Sequence, residues 1–159
     1  MGDIVSVERV IPAPPEPIFD LLADPARHRE IDGSGTVREA SEGSQRLKLG
    51  SRFGMSMKMG VPYSMVSEVV EFEEGRRIAW QTRGSGRLGS HAGGRVWRYE
   101  LEPAEGGTCV RESWDVTEES WLSKWLVKLT ASKQTAGNMA KTLERIEQIV
   151  AGEGSGPTG

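Results

Sequence analysis

Apolar and polar residues alternate along most of the chain as far as Thr117, and beyond it the period becomes helical. Ile4 to Ile11 places Val5, Val7 and Arg9 on one side and Ile4, Glu8 and Val10 on the other. Its β-branched content predicts a strand, which Pro12-Ala13-Pro14-Pro15 stops. Ile18, Leu21 and Leu22, with Phe19 beside them, predict a helix over Glu16 to Leu22. Pro17 suits its first turn, where the missing N–H would have no partner, and Asp24-Pro25 closes it. A second short helix is expected at Ala26 to Glu30, followed by a turn at Gly33 to Gly35.

A run of strands follows. Thr36 to Ala40 and Gln45 to Gly50 are short candidates. Phe53 to Met59 sets Phe53, Met55, Met57 and Met59 on one face. Tyr63 to Phe72 is apolar on both faces and leads into a hairpin turn at Glu73-Glu74-Gly75. Arg77 to Thr82 has Ile78 and Trp80 in phase. Gly93 to Leu101 aligns Arg95, Trp97, Tyr99 and Leu101. After a turn at Pro103 to Gly107, Thr108 to Thr117 aligns Val110, Glu112, Trp114 and Val116.

Thr117-Glu118-Glu119 puts acids where a helix dipole favours them, so a helix is predicted from there to Val150. Leu122, Trp125, Leu126, Leu129, Ala136, Met139, Ala140, Leu143, Ile146 and Val150 form its apolar stripe. About 30 residues at 1.5 Å each make roughly 45 Å of helix. That stripe must lie across the sheet. The expected fold is α+β: an antiparallel sheet of about six to seven strands, two short helices after strand 1, and a long C-terminal helix. A curled sheet around such a helix leaves a space between them, the natural place for a site.

Composition narrows the picture. The 159 residues suit one domain over 1–150, with a flexible Gly-rich tail at 151–159. The balance of 20 basic and 23 acidic residues argues against nucleic acid as a partner. Asp3 and Glu8 interrupt any signal-peptide pattern, so a cytoplasmic protein is expected. Cys109 alone forms no internal disulfide. His28 and His91 lack companion ligands, so neither a metal nor a cofactor is expected, and both read as solvent-exposed by default.

Gly84-Ser85-Gly86-Arg87-Leu88-Gly89 fits the letters of a dinucleotide loop, but a strand rather than a helix follows it. Arg76, Arg77, Arg83, Arg87, Arg95 and Arg98 occur with no acid between Glu74 and Glu100. They suggest transient contact with a membrane or a carrier protein, against the plainer reading of solubility. Trp121, among Lys124, Lys128 and Lys133, suggests a homodimer contact or a lid.

The pocket candidates are Phe53, Met55, Met57, Met59, Trp80, Trp97, Tyr99, Trp114, Trp125 and Leu129. Thioethers and flat rings suit an adaptable apolar cavity, and plain core packing explains the same residues. Glu112 shares a face with Val110 and Trp114. An outward or rim position is one reading of Glu112; a carboxylate facing inward must be paired or have its pKa raised. Arg95, in phase with Trp97 and Tyr99, is the candidate partner, as a ligand anchor or a structural salt bridge. Glu112, Arg95 and Tyr63 are the candidate catalytic groups, with His28 a further acid–base candidate.

The order of elements resembles the START-like helix-grip superfamily and, within it, the bacterial polyketide cyclase/dehydrase-like (SRPBCC) proteins. The matching stretches are Val7-Glu8-Arg9-Val10-Ile11-Pro12-Ala13-Pro14, Phe19 through Pro25, Val69-Val70-Glu71-Phe72 through Ile78-Ala79-Trp80, and Tyr99 through Pro103 with Gly106-Gly107-Thr108. The long helix closes the set, which spans roughly residues 3 to 150. The resemblance implies binding of a hydrophobic small molecule: a lipid, a polyketide or an aromatic metabolite. It alternatively implies cyclase, aromatase or dehydratase chemistry on a poly-β-keto chain. A partner-binding protein with a filled core is the third reading.

Overall fold

The computed structural model describes residues 3–32, 37–40, 46–59, 61–84, 93–119 and 121–154. Strand β1 (Ile4–Ile11) leads into helix α1 (Pro15–Leu22), a 3-10 turn (Pro25–Arg27) and helix α2 (His28–Ile31). Six strands follow: β2 (Val37–Ala40), β3 (Arg52–Met59), β4 (Val61–Glu73), β5 (Arg77–Gly84), β6 (Gly93–Ala104) and β7 (Gly107–Asp115). Helix α3 (Trp121–Gly154) ends the series. The strands make one antiparallel sheet in the order β1-β7-β6-β5-β4-β3-β2, so the first strand lies beside the last. With α3 packed on the sheet, this is the helix-grip fold.

Local chemistry accounts for the elements. Prolines occupy the start of α1, and Glu16 sits in its first turn, where the dipole favours an acid. The Asp24 side chain accepts from the Ala26 N–H at 3.1 Å and so caps the 3-10 turn. The expected helix at Ala26 to Glu30 therefore divides into a 3-10 turn and α2. The expected strand at Gln45 to Gly50 does not form across its described part. Residues 46–48 are irregular and Leu49-Gly50 is a turn. Leu47 is instead a buried plug, its N–H bonded to the Ala23 carbonyl at 2.7 Å.

Strand β4 has a bulge between Val69 and Glu71, where the Gly50–Ser51 segment bonds to Val69 through both its N–H and its carbonyl. The extra residue brings Val69 and Phe72 to the same core although they are three apart. Phe72 then meets Phe19 edge-on at 5.6 Å.

The long helix begins later than the acidic turn suggested. Asp115 accepts from the Thr117 N–H at 2.9 Å, and Glu119 N–H bonds to Val116 O, so 116–119 form a turn. Met139, Leu143, Ile146 and Val150 are buried, and they form the stripe that covers the sheet. Trp125, expected on that stripe, is 58% exposed. Its neighbour Lys124 pairs with Asp3 at 3.0 Å, just before β1 begins, so this turn stands at the rim of the sheet. Ala140 is also exposed. The helix continues to Gly154, four residues past Val150.

The run of arginines reads differently once the strands are paired. On the outer face Arg98 holds Glu71 at 2.6 Å and Asp115 at 3.5 Å, and Arg77 holds Glu100 at 3.0 Å and Glu71 at 3.4 Å. Arg83 donates to Gln81. The compensating acids come from neighbouring strands and are invisible in a window of sequence. Arg87, His91 and the glycine loop at 85–92 lie outside the described residues.

Candidate functional site

Register assembles the inner face of the sheet. Tyr99 of β6 stands opposite Glu112 of β7, and Val7 of β1 flanks Glu112 on the other side. In the next inward row Val69, Trp80, Trp97, Trp114 and Val5 run across five strands. Rings make much of this wall. Trp80 contacts Phe53 edge-on at 5.6 Å and lies tilted against Tyr99 at 5.5 Å; Trp97 and Trp114 stand 6.3 Å apart. Trp114 packs with Val116 and Met139.

Glu112 is 2% exposed within this apolar wall. The Tyr99 hydroxyl donates to its Oε1 at 2.8 Å. Its Oε2 is buried and has no hydrogen-bond partner among the described residues. Burial pushes the carboxyl up to about 8, the Tyr99 hydrogen bond opposes that rise, and the negative charge of Asp32 adds to it. The Tyr99 phenol is driven well above its usual range, first by burial and then by the adjacent Glu112. The pair is neutral near pH 7, which is how a carboxyl tolerates an apolar interior.

Arg95 does not reach Glu112. It precedes Tyr99 by four residues, roughly 13 Å along a strand, and its Nε donates to Glu119 Oε1 at 3.0 Å. The Glu119 side chain is 1% exposed. Gly94 permits this approach: a Cβ there would stand 3.1 Å from the Glu118 carbonyl oxygen, and its φ is +113°. Near this pair Ser67 and Thr82 share a buried hydrogen bond of 2.9 Å. Arg95→Met should lower stability by roughly 1–3 kcal/mol by stranding the Glu119 carboxylate. Urea unfolding checks this, and adding Glu119→Leu should restore part of the loss.

His28, an acid–base candidate expected by default to face solvent, is buried instead. It is 6% exposed, stacked on Trp80 at 4.8 Å and edge-on to Phe53 at 5.5 Å. Its Nε2 lies 2.9 Å from the Leu22 carbonyl oxygen, to which it donates. Burial lowers its pKa, so it is a neutral ring in the aromatic wall. The signal available was its place three residues after Asp24-Pro25, where a tight turn directs the side chain back under α1.

Met55, Met57 and Met59 occupy β3 in the order that continues from Phe53, and Tyr63 pairs with Met57 in the β3–β4 register. The side chains of these residues, and that of Leu129 on α3, lie outside the described residues. Among the described residues no three His, Cys, Asp or Glu side chains gather as a metal's ligand set. An open cleft of about 530 Å³ lies at the far end of the sheet, between the Pro12–Pro15 corner and the β4–β5 and β6–β7 turns. It contains none of the candidate residues.

Comparisons with known proteins agree with this architecture. The protein NE0264 of Nitrosomonas europaea superposes with a TM-score of 0.71 at 14% identity, over 96% of this chain and 97% of that one. Ms6760 of Mycobacterium smegmatis gives 0.70 at 14% identity, over 95% and 92%. These likenesses show the fold. An uncharacterized protein of Mycobacterium tuberculosis, Rv0088, is 39% identical over 93 residues, spanning 58% of this chain and 38% of that relative. The match thus covers well under half the length of that curated protein. The family model described as polyketide cyclase / dehydrase and lipid transport matches residues 3–151. The aromatic inner face, the covering helix and this match over nearly the whole described chain lead to one conclusion: the chain belongs to the polyketide cyclase / dehydrase and lipid transport family.

Proposed function

We propose that the protein binds a hydrophobic small molecule, a lipid, a polyketide or another aromatic metabolite, between the inner face of the sheet and α3. Fold and family together support a general role in hydrophobic ligand binding. The observation that carries the reading is the buried Glu112–Tyr99 pair, set in a wall of rings with one carboxyl oxygen unpartnered among the described residues. A few placed polar groups in an otherwise apolar lining are what orient a small ligand.

The test is native mass spectrometry of freshly purified protein, followed by solvent extraction and mass analysis. A defined co-purifying mass is expected, reduced about tenfold in Trp97→Leu if Trp97 supplies over 1 kcal/mol of contact. A clean apo mass, together with no response to apolar fluorescent probes, would overturn the reading.

A second reading is supported by the same carboxyl. A group titrating near 8 can give and take a proton close to neutral pH, as cyclase, aromatase or dehydratase chemistry requires. In that reading Glu112 acts with Tyr99, since Arg95 is engaged by Glu119. Turnover of a poly-β-keto substrate by Glu112→Gln should then collapse while binding changes modestly.

A further inference from the structure

We infer that the molecule held against Glu112 is neutral and meets that residue with a hydrogen-bond acceptor, a ketone- or quinone-type carbonyl, in preference to a carboxylate. The inference rests on the ligand-binding reading above and narrows it. Its basis is the use of each oxygen of Glu112. Oε1 already accepts from the Tyr99 hydroxyl. Oε2 is buried and unpartnered among the described residues. A carboxyl in this setting keeps its proton at neutral pH, and with Oε1 accepting, the proton resides on Oε2. The free group is therefore an O–H donor. Leaving a buried donor unmade costs roughly 1–3 kcal/mol, which a ligand carbonyl removes.

A carboxylate ligand fits poorly for a separate reason. Among the described residues no Lys, Arg or His hydrogen-bonds or ion-pairs with Glu112. Arg95 is bound to Glu119, and Arg9 on β1 is bound to Glu147 of α3. Asp32, just after α2, already places negative charge close enough to raise the Glu112 carboxyl. An added anion would enter a low-dielectric interior beside one negative charge; the Arg145 guanidinium, bound at the Asp32 carbonyl, is exposed rather than set against Glu112.

The experiment compares three naphthalene probes that differ in one substituent: a methyl ketone, an ethyl group and a carboxylate. Each is titrated into the full chain at pH 6.5, with tryptophan fluorescence and calorimetry as readouts. The ketone should bind about tenfold more tightly than the ethyl probe, and the carboxylate more weakly than either. Glu112→Gln keeps a neutral N–H donor and should retain most of the ketone preference. Glu112→Leu should abolish that preference while leaving the ethyl probe bound at least as tightly. Circular dichroism of both variants establishes that they are folded. An ethyl probe that binds as well as the ketone, a carboxylate that binds best, or a ketone preference that survives in Glu112→Leu would each overturn the inference and leave ligand binding standing. Failure of all three probes to bind would overturn the inference and, together with a clean apo mass, the ligand-binding reading as well.

Discussion

Replacing Gly107 with alanine is expected to cost roughly 4 kcal/mol or more, a large share of the roughly 5–15 kcal/mol by which folded domains are stable. A Cβ on Gly107 would lie 2.0 Å from the Ile11 carbonyl oxygen, 2.8 Å from its carbonyl carbon and 2.9 Å from Pro12 Cα. All three neighbours are backbone, so no rotamer change relieves the overlap. Either β1 withdraws from β7 at the Ile11–Thr108 register position or the β6–β7 turn reopens. Both movements threaten the 2.8 Å bond from the Thr108 hydroxyl to the Ala13 carbonyl, which fixes the corner between β1 and α1. Gly106 supplies the control. Its φ of +86° is equally demanding, but a Cβ there meets nothing within 4 Å. Gly106→Ala should cost about 1 kcal/mol from backbone strain alone. Urea midpoints of the two variants separate overlap from strain, and a Gly107→Ala protein within about 1 kcal/mol of the parent would refute the argument.

The second large effect is a pH dependence with an unusual sign. Glu112 ionises near 4.5 in an unfolded chain and near 8 in the folded one. Below pH 4.5 it is protonated in both states and has no effect on stability. Between these values the unfolded state releases a proton that the folded state retains, so stability falls as pH rises. Above 8 the loss is complete, at roughly 3–5 kcal/mol. His28 acts in the opposite sense: its lowered pKa favours the unfolded state only as pH falls through the range near 6.5. Comparing the parent with Glu112→Gln removes that background. The variant should be about equal to or slightly weaker than the parent at pH 5, and several kcal/mol more stable at pH 9. Parallel stability curves for the two proteins across this range would mean that Glu112 is solvated or charged in the folded state.

The order of elements was legible because alternation and helical spacing are properties of adjacent residues. The in-phase sets Trp97-Tyr99-Leu101 and Val110-Glu112-Trp114 do face one interior. What alternation does not encode is register. Arg95 and Glu112 share a face, yet strand pairing sets Tyr99 against Glu112 and leaves Arg95 to Glu119, a residue outside any strand. The outer-face ion pairs of Arg77 and Arg98 escaped notice for the same reason. His28 was misread because its burial comes from a tight turn packing it under Trp80, and its own neighbours Arg27 and Arg29 are polar. Leu47, in a segment with no regular structure, packs into the core beside a backbone bond to Ala23 that no periodicity announces.

The pairing of β1 with β7 also sets a timetable for synthesis. On the ribosome β1 emerges first, and its hydrogen-bonding partner is the last strand made, with Ile4 waiting for Asp115 and Ile11 for Thr108. The hairpins from β3 to β7 pair with sequence neighbours and can form as they appear. The apolar side chains of β1 and α1 must stay solvated, or be shielded by a chaperone, until translation has passed β7 and entered the final helix. A closure spanning most of the chain places folding among the slower small domains, on a scale of milliseconds to seconds. Truncation anywhere before Asp115 therefore leaves an unpaired strand edge of the kind that promotes aggregation.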